Sequence, residues 1–268
     1  MPIETVGSAA MLGPPEFIYA LPPGLVFIVI LGAVGVVAVA IYSLLLLPSI
    51  RRASSRLIKI STAVGTVSGA IFALSMAFLA NAVWSMEDRA REAVNAEARA
   101  IQVMDIYMDL MTRPAQDGLT RLLADYGSAV AAEWPNLNFE GRQAEQVLRN
   151  IYSAIISGLA EGERNRVLQQ RLLSALDNLS AARQQRLSIA QHVVSGSQWT
   201  LVAGLGIVLL IVLAMIHADF HLAAKISLCS LTVAISLLLQ VIILHDRPFI
   251  GYEPIGPGPI ITASGATP

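Results

Sequence analysis

The stretch AVGTVSGAIFALSMAFLANAVWSMEDRAREAVNAEARAIQVMDIYMDLM, residues 63–111, changes character at Trp84 without a helix breaker. The 21 residues before Trp84 carry no charge, and the 28 from Trp84 onward carry nine. Roughly 20 apolar residues cross a bilayer as a helix, and backbone groups in lipid must bond within their own segment. Trp84 then falls where an aromatic belt meets water. Beyond it Ala90, Val94, Ala98, Ile101, Met104, Met108 and Met111 recur at steps of three and four. That spacing predicts an amphipathic helix continuing the span and running to Pro114. The methionines read as core filling, since an unbranched thioether suits irregular gaps.

Three further apolar runs, 25–47, 201–216 and 226–244, frame the same picture. The chain has 268 residues, 55% hydrophobic and 14% charged, against about 25% charged in soluble domains. The deficit is local: residues 84–199 hold 12 Arg and 14 Asp or Glu, out of 37 charged residues in all. The fold class expected is an all-α membrane protein. Four transmembrane helices form two hairpins, with a central helical extramembrane domain between them. The boundaries are a Pro-rich N-terminal segment at 1–24, hairpin one at 25–83, the central domain at 84–199, hairpin two at 200–245, and a Pro/Gly-rich tail at 246–268. The central segment nets −2 and gives no footprint for nucleic acid.

Within the central segment a second helix places Leu119, Leu122, Tyr126 and Val130 on one face and ends at Glu133-Trp134-Pro135. A third carries Val147, Leu148, Ile151, Ile155 and Leu159. A fourth carries Leu168, Leu172, Leu176, Leu179, Leu187 and Ala190, and runs toward Trp199 through a loosening Ser195-Gly196-Ser197. Its Gln169, Gln170, Arg171, Arg183, Gln184, Gln185 and Arg186 are read as facing water or a partner. At the N-terminus Pro2, Pro14, Pro15, Pro22 and Pro23 argue against helix, and no basic residue precedes the first span as a signal peptide would require. The tail, with Pro254, Pro257 and Pro259, is expected to be extended or disordered. The lone Cys229 cannot form an intrachain disulfide.

Two patterns inside the spans invite a role. Gly65, Gly69, Ala73 and Ala77 lie four apart and form a ridge where another helix backbone can approach closely. Thr232, Ser236 and Gln240 form an uncharged polar stripe on the last span. It suits interhelical hydrogen bonds, or the lining of a water path. No Asp, Glu, Lys or Arg lies in a span core, which argues against proton-driven transport. His217-x-Asp219-x-His221 falls in a short turn without a third strong ligand nearby, so no metal is expected. No phosphate loop, HExxH or GxSxG appears. Neither a catalytic residue nor a cofactor is therefore expected, and an enzyme is not the reading.

Ala82-Val83-Trp84, then Glu133-Trp134-Pro135, then the approach from Leu187 to Trp199, then Asp246-Arg247-Pro248-Phe249-x-Gly251 occur in order. Together they resemble the bestrophin-like membrane proteins filed as a domain of unknown function, over about residues 25–257. The resemblance implies bacterial and plant membrane proteins of no settled activity, with remote kinship to pentameric anion channels. No counterpart of a bestrophin pore neck or calcium clasp is identified in this sequence, so conduction does not carry over residue by residue. Asp246-Arg247 is itself read as a rigid exit docked on the second and fourth soluble helices.

Arg51, Arg52, Arg56 and Lys59 follow the first span, and Lys225 lies in the turn after the third. Basic residues mark cytoplasmic loops. Both short turns are therefore placed in the cytoplasm, and the termini and central domain outside, in a plasma or inner membrane. The resemblance to bestrophins implies the reverse. The function expected is a homo-oligomeric, channel-like protein in the lipid bilayer. The alternative is a structural or accessory subunit that binds a protein partner of a membrane complex through the central helices.

Overall fold

The computed structural model describes residues 14–48, 50, 58–136, 142–157, 163–191, 194–250 and 252–266. Among these there is helix and no strand. The helices are α1 (Pro23–Leu45), α2 (Ile58–Met108), α3 (Arg113–Glu133), α4 (Arg142–Ser157), α5 (Glu163–Gln191), α6 (Gly196–Ile216), α7 (His221–His245) and α8 (Gly258–Ser264). Four stretches contain helix long and apolar enough to cross a membrane, Pro23–Leu45, Ala63–Met108, Asn165–Ile216 and His221–His245, the third holding most of α5 and then α6. The fold divides into two compact units, Met1–Ser85 with Val194–Tyr252, and Met86–Val193 with Glu253–Pro268.

The first unit is a bundle of apolar helices. Pro23 opens α1, a position where the missing N–H costs nothing because first-turn donors lack partners anyway. A 3-10 turn, Glu16–Ala20, precedes it within the segment expected to avoid helix. α1 packs against α6 and α7, and α6 packs against α7. Its core holds Val26, Ile30, Phe72, Met76, Leu79, Val83, Leu210, Leu228 and Ile235. Ser195 caps α6, and its backbone N–H donates to Gln198 Oε1 at 3.1 Å. That capping box starts a new helix. α5 therefore ends at Gln191 rather than running on toward Trp199.

The second unit is built from amphipathic helices. α2 enters it without interruption, and its Ala90, Val94, Ala98, Ile101, Met104 and Met108 are buried, in agreement with the sequence spacing. The helix stops at Met108, short of Pro114. Pro114 instead lies in the first turn of α3, behind the N-cap Thr112. On α3 the buried leucines are Leu119 and Leu123, not Leu122, in phase with Tyr126 and Val130. Leu148, Ile151 and Ile155 of α4 are buried, while Leu159 lies outside the described residues.

The tail departs from expectation. Residues Gly258–Ser264 form α8, which packs on α3 and buries Ile260. Gly265 ends it with φ 69, the left-handed cap that glycine adopts without a Cβ penalty. The seat on α3 needs Gly127. A Cβ there would lie 1.9 Å from Ser264 Oγ and 3.0 Å from Ala266 Cβ.

Candidate functional site

The polar stripe of the last span sits inside the first unit. Thr232 and Ser236 are buried. Ser236 Oγ donates back to the Thr232 carbonyl at 2.7 Å, one turn earlier on its own helix. Gln240 Nε2 donates to the Pro23 carbonyl at 3.0 Å, tying α7 to the start of α1. Thr232 Oγ1 has no hydrogen-bond partner among the described residues.

The small-residue ridge of α2 divides into two parts. A Cβ on Gly65 would come within 3.1 Å of Val212 and 3.2 Å of Ile216, and one on Gly69 within 3.7 Å of Leu209. These glycines therefore face α6 of the same chain. Ala73 and Ala77, lower on the same ridge, are exposed. So are Thr66, Ala70 and Asn81, which share the phase of those alanines. Next to this small face runs a large one, with Val64, Val67, Ile71, Leu74 and Phe78 all exposed. The span thus has a buried side, a large apolar side and a small uncharged side.

Asp246 is the node of a junction at the end of α7. It is 3% exposed. Its Oδ2 accepts the Tyr19 hydroxyl at 2.6 Å, and its Oδ1 accepts the Val194 backbone N–H at 3.0 Å. The Arg247 guanidinium lies over the Tyr19 ring, 4.4 Å from its centroid. Burial, and then the Asp246 carboxylate, raise the Tyr19 phenol above its ordinary range. Asp246 therefore fastens the segment before α1 to the entry of α6, a different anchorage from the soluble helices expected. Pro248 and Phe249 are buried, and Gly251 lies outside the described residues.

Glu133-Trp134-Pro135 belongs to a charged core in the second unit. Glu133 Oε1 accepts the Ala144 backbone N–H at 2.9 Å, fixing the start of α4, and Oε2 pairs with Arg183 Nη2 at 3.0 Å. Trp134 Nε1 donates to the Ile255 carbonyl at 3.0 Å, and its ring lies 4.7 Å from the Arg186 guanidinium. Pro135 is exposed. Arg186 reaches Glu97 with two bonds, Nε to Oε2 at 2.7 Å and Nη2 to Oε1 at 3.1 Å. Both side chains are 0% exposed. The Tyr126 hydroxyl also donates to Glu97 Oε1. Burial first, then the Glu97 charge, push the Tyr126 phenol well above its usual value.

Arg183 and Arg186 were expected to face water or a partner, and both are buried. The physical reason is phase. Leu168, Leu172, Leu176 and Leu179 step by four, four and three, and Arg183 and Arg186 continue the pattern. Glu97 likewise falls between Val94 and Ile101 in the stripe of α2. The signal was present in the spacing and was masked by the residue types. The two Arg and two Glu balance in charge, and bidentate Arg–carboxylate geometry gives such a core direction as well as energy.

The bestrophin-like domain family matches residues 30–260 of this sequence. The chain belongs to the bestrophin-like family. This bestrophin-like chain also resembles solved structures in fold. One is a bacterial bestrophin homologue from Klebsiella pneumoniae, at 11% identity and TM-score 0.63, covering 90% of this chain and 99% of that one. Another is the crystal structure of a membrane protein, at 11% identity and TM-score 0.64, covering 89% of this chain and 96% of that one. No curated protein matches the sequence.

Proposed function

We propose that this bestrophin-like membrane protein assembles with copies of itself into a channel-like ring, its spans arranged as two hairpins around a central helical domain. The observation that carries the reading is the small face of α2. Thr66, Ala70, Ala73, Ala77 and Asn81 are exposed on a span whose other exposed face is Val, Ile, Leu and Phe. Lipid gives no hydrophobic drive between helices, so small faces serve close helix approach, and a polar Asn seeks a partner or water there. Large apolar side chains meet the acyl chains. A ring of copies turns the small, uncharged face toward its own axis. Thr232, Ser236 and Gln240 then serve as packing contacts within each chain. Family membership and the likeness to a bestrophin homologue support the same reading.

Purified protein in planar bilayers tests it. The expected result is a current under an ion gradient that changes when Ala77 is replaced by Phe. Intact oligomers that pass no current under any gradient would sink the channel reading and leave a scaffold role. Orientation is tested separately in a Cys229→Ser background. With the short turns in the cytoplasm, Ser174→Cys reacts with an impermeant maleimide in intact cells and Ser55→Cys does not. The opposite pattern puts the central domain in the cytoplasm, as kinship with bestrophins implies.

A further inference from the structure

We propose that a cleft among α1, α6 and α7 holds one acyl chain of a bilayer phospholipid. Its ester carbonyl would meet the Trp199 indole N–H, and its phosphate the positive charge of Arg247. The inference concerns the spans alone and does not depend on conduction.

Two adjoining hollows, of about 330 and 220 Å³, share Ala33, Val34, Val202, Ala203 and Leu239 and so form one cleft. Among the described residues no charged side chain lines either part. The gap arises because small residues face each other across it, Ala33 on α1 against Ala203 and Gly206 on α6. A Cβ at Gly206 would make only ordinary contacts, the nearest at 3.7 Å. Water does not settle in a site without polar partners. A lipid tail does, being as apolar as the leucines that floor the cleft.

The end of the cleft distinguishes a lipid from a helix of a second copy. Trp199 lines it, in the first turn of α6. The indole is 7% exposed, and its Nε1 has no acceptor among the described residues. Buried donors in native proteins are almost always satisfied, so this one calls for an oxygen. Tryptophan prefers the depth at which acyl esters lie, with its ring in hydrocarbon and its N–H toward polar groups. Ile243 and Ile18 line the same end. Arg247 follows the C-cap Asp246 of α7, four residues beyond Ile243, and its guanidinium rests on Tyr19, the neighbour of Ile18. An apolar helix face offers neither an acceptor nor a negative charge at that end. A phospholipid carries both beside its chain, and a planar guanidinium suits phosphate.

Native mass spectrometry of the full chain, purified from membranes in mild detergent, reads the occupant. Wild-type protein is expected to retain one phospholipid per chain, and added dioleoylphosphatidylglycerol to raise its melting temperature. Ala203 is exposed, so Ala203→Phe fills the cleft without displacing the chain's own core, and Ala33→Phe narrows it from the opposite wall. Each is expected to lower lipid retention about tenfold, a loss of ~1.4 kcal/mol in binding. Trp199→Phe keeps the ring, loses the donor, and is expected to weaken retention several-fold with the fold unchanged. Retention that is absent in wild type, or equal in wild type and both cleft-filling variants, overturns the proposal. So does efficient crosslinking of Ala203→Cys, in a Cys229→Ser background, to a second copy, because a protein segment then fills the cleft.

Discussion

The two units bury different chemistry at similar helical spacing. In the spanning unit α2 buries Phe72, Met76, Leu79 and Val83, and the buried polar residues within the spans, Thr232 and Ser236, are uncharged. In the other unit the same helix buries Ala90, Val94, Glu97, Ile101 and Met104, and α5 brings Arg183 and Arg186 to meet them. Charge costs too much in hydrocarbon to hold a span together. In the other unit it is affordable only when every buried charge is met. A buried ion pair is weak evidence for stability, since hydrocarbon of equal volume often does as well or better. Its clearest use is registry. Sliding α5 along α2 by one turn would separate Arg186 from Glu97 and leave both charges buried and unmet.

The largest expected effect follows from breaking that pair. Glu97→Ala strands the Arg186 guanidinium and is expected to cost about 3–5 kcal/mol, read as a lowered melting temperature and faster proteolysis between α2 and α5. Glu97→Leu with Arg186→Met is expected to recover most of the loss, since neither charge then needs a partner. A single variant as stable as wild type would mean that water reaches the pair, and the contrast between the units would fall.

Next comes the seat of α8. Gly127→Ala sets a methyl group 1.9 Å from Ser264 Oγ and is expected to cost about 1–3 kcal/mol, as overpacking does. Cleavage of residues 253–268 by protease should accelerate. Ser264→Gly in the same chain removes the nearest atoms and should restore protection. If protection is unchanged in Gly127→Ala, the C-terminal segment is not seated on α3.

The spanning unit offers a matched pair on one ridge. Gly69 faces Leu209 of its own chain at 3.7 Å from a built Cβ, whereas Ala77 is exposed. Gly69→Leu is expected to lower the melting temperature, at a cost of about 1–3 kcal/mol. Ala77→Leu is expected to leave the chain's own packing alone and shift the oligomer distribution in native mass spectrometry. Arg99→Ala, on an exposed position of α2 in the other unit, should change neither. Equal effects of Gly69→Leu and Ala77→Leu would show that the ridge has one environment, not two.

The spans were legible because lipid imposes length and the absence of charge, and both are read directly from residue types. The stripe of α2 through Ala90, Val94 and Met104 was legible from its period. The break before α6 was half visible, in Ser195-Gly196-Ser197, but its cause lies in Gln198 reaching back to Ser195. The charged core was not read, because Arg and Glu carry a strong expectation of exposure. Period alone put Glu97, Arg183 and Arg186 in the core, and type argued them out of it. α8 was missed for a similar reason. Its prolines and glycines suggest extended chain, yet Pro259 sits in the helix's first turn and Gly265 at its end, where each is tolerated.

The smallest effect separates the units by pH. Tyr126 is fully buried and donates to Glu97. Burial, and then the Glu97 charge, hold its phenol well above the ordinary value. Unfolded, it loses its proton near pH ~10; folded, it keeps it. Below that pH both states are protonated and the contribution to stability is constant. Above it the native state holds one proton more, so stability falls by about 1.4 kcal/mol per pH unit as the pH rises toward the folded value. Tyr126→Phe removes that slope, so melting temperatures in detergent from about pH 9 to about pH 11 should decline less steeply than in wild type. Tyr19 of the spanning unit is raised in the same direction by burial and by Asp246. It is only half-buried, so water reaches its own phenol and offsets part of that shift. Tyr19→Phe should therefore flatten the alkaline decline less than Tyr126→Phe does. If the two variants flatten it equally, the Tyr126 phenol is no better shielded from water than that of Tyr19.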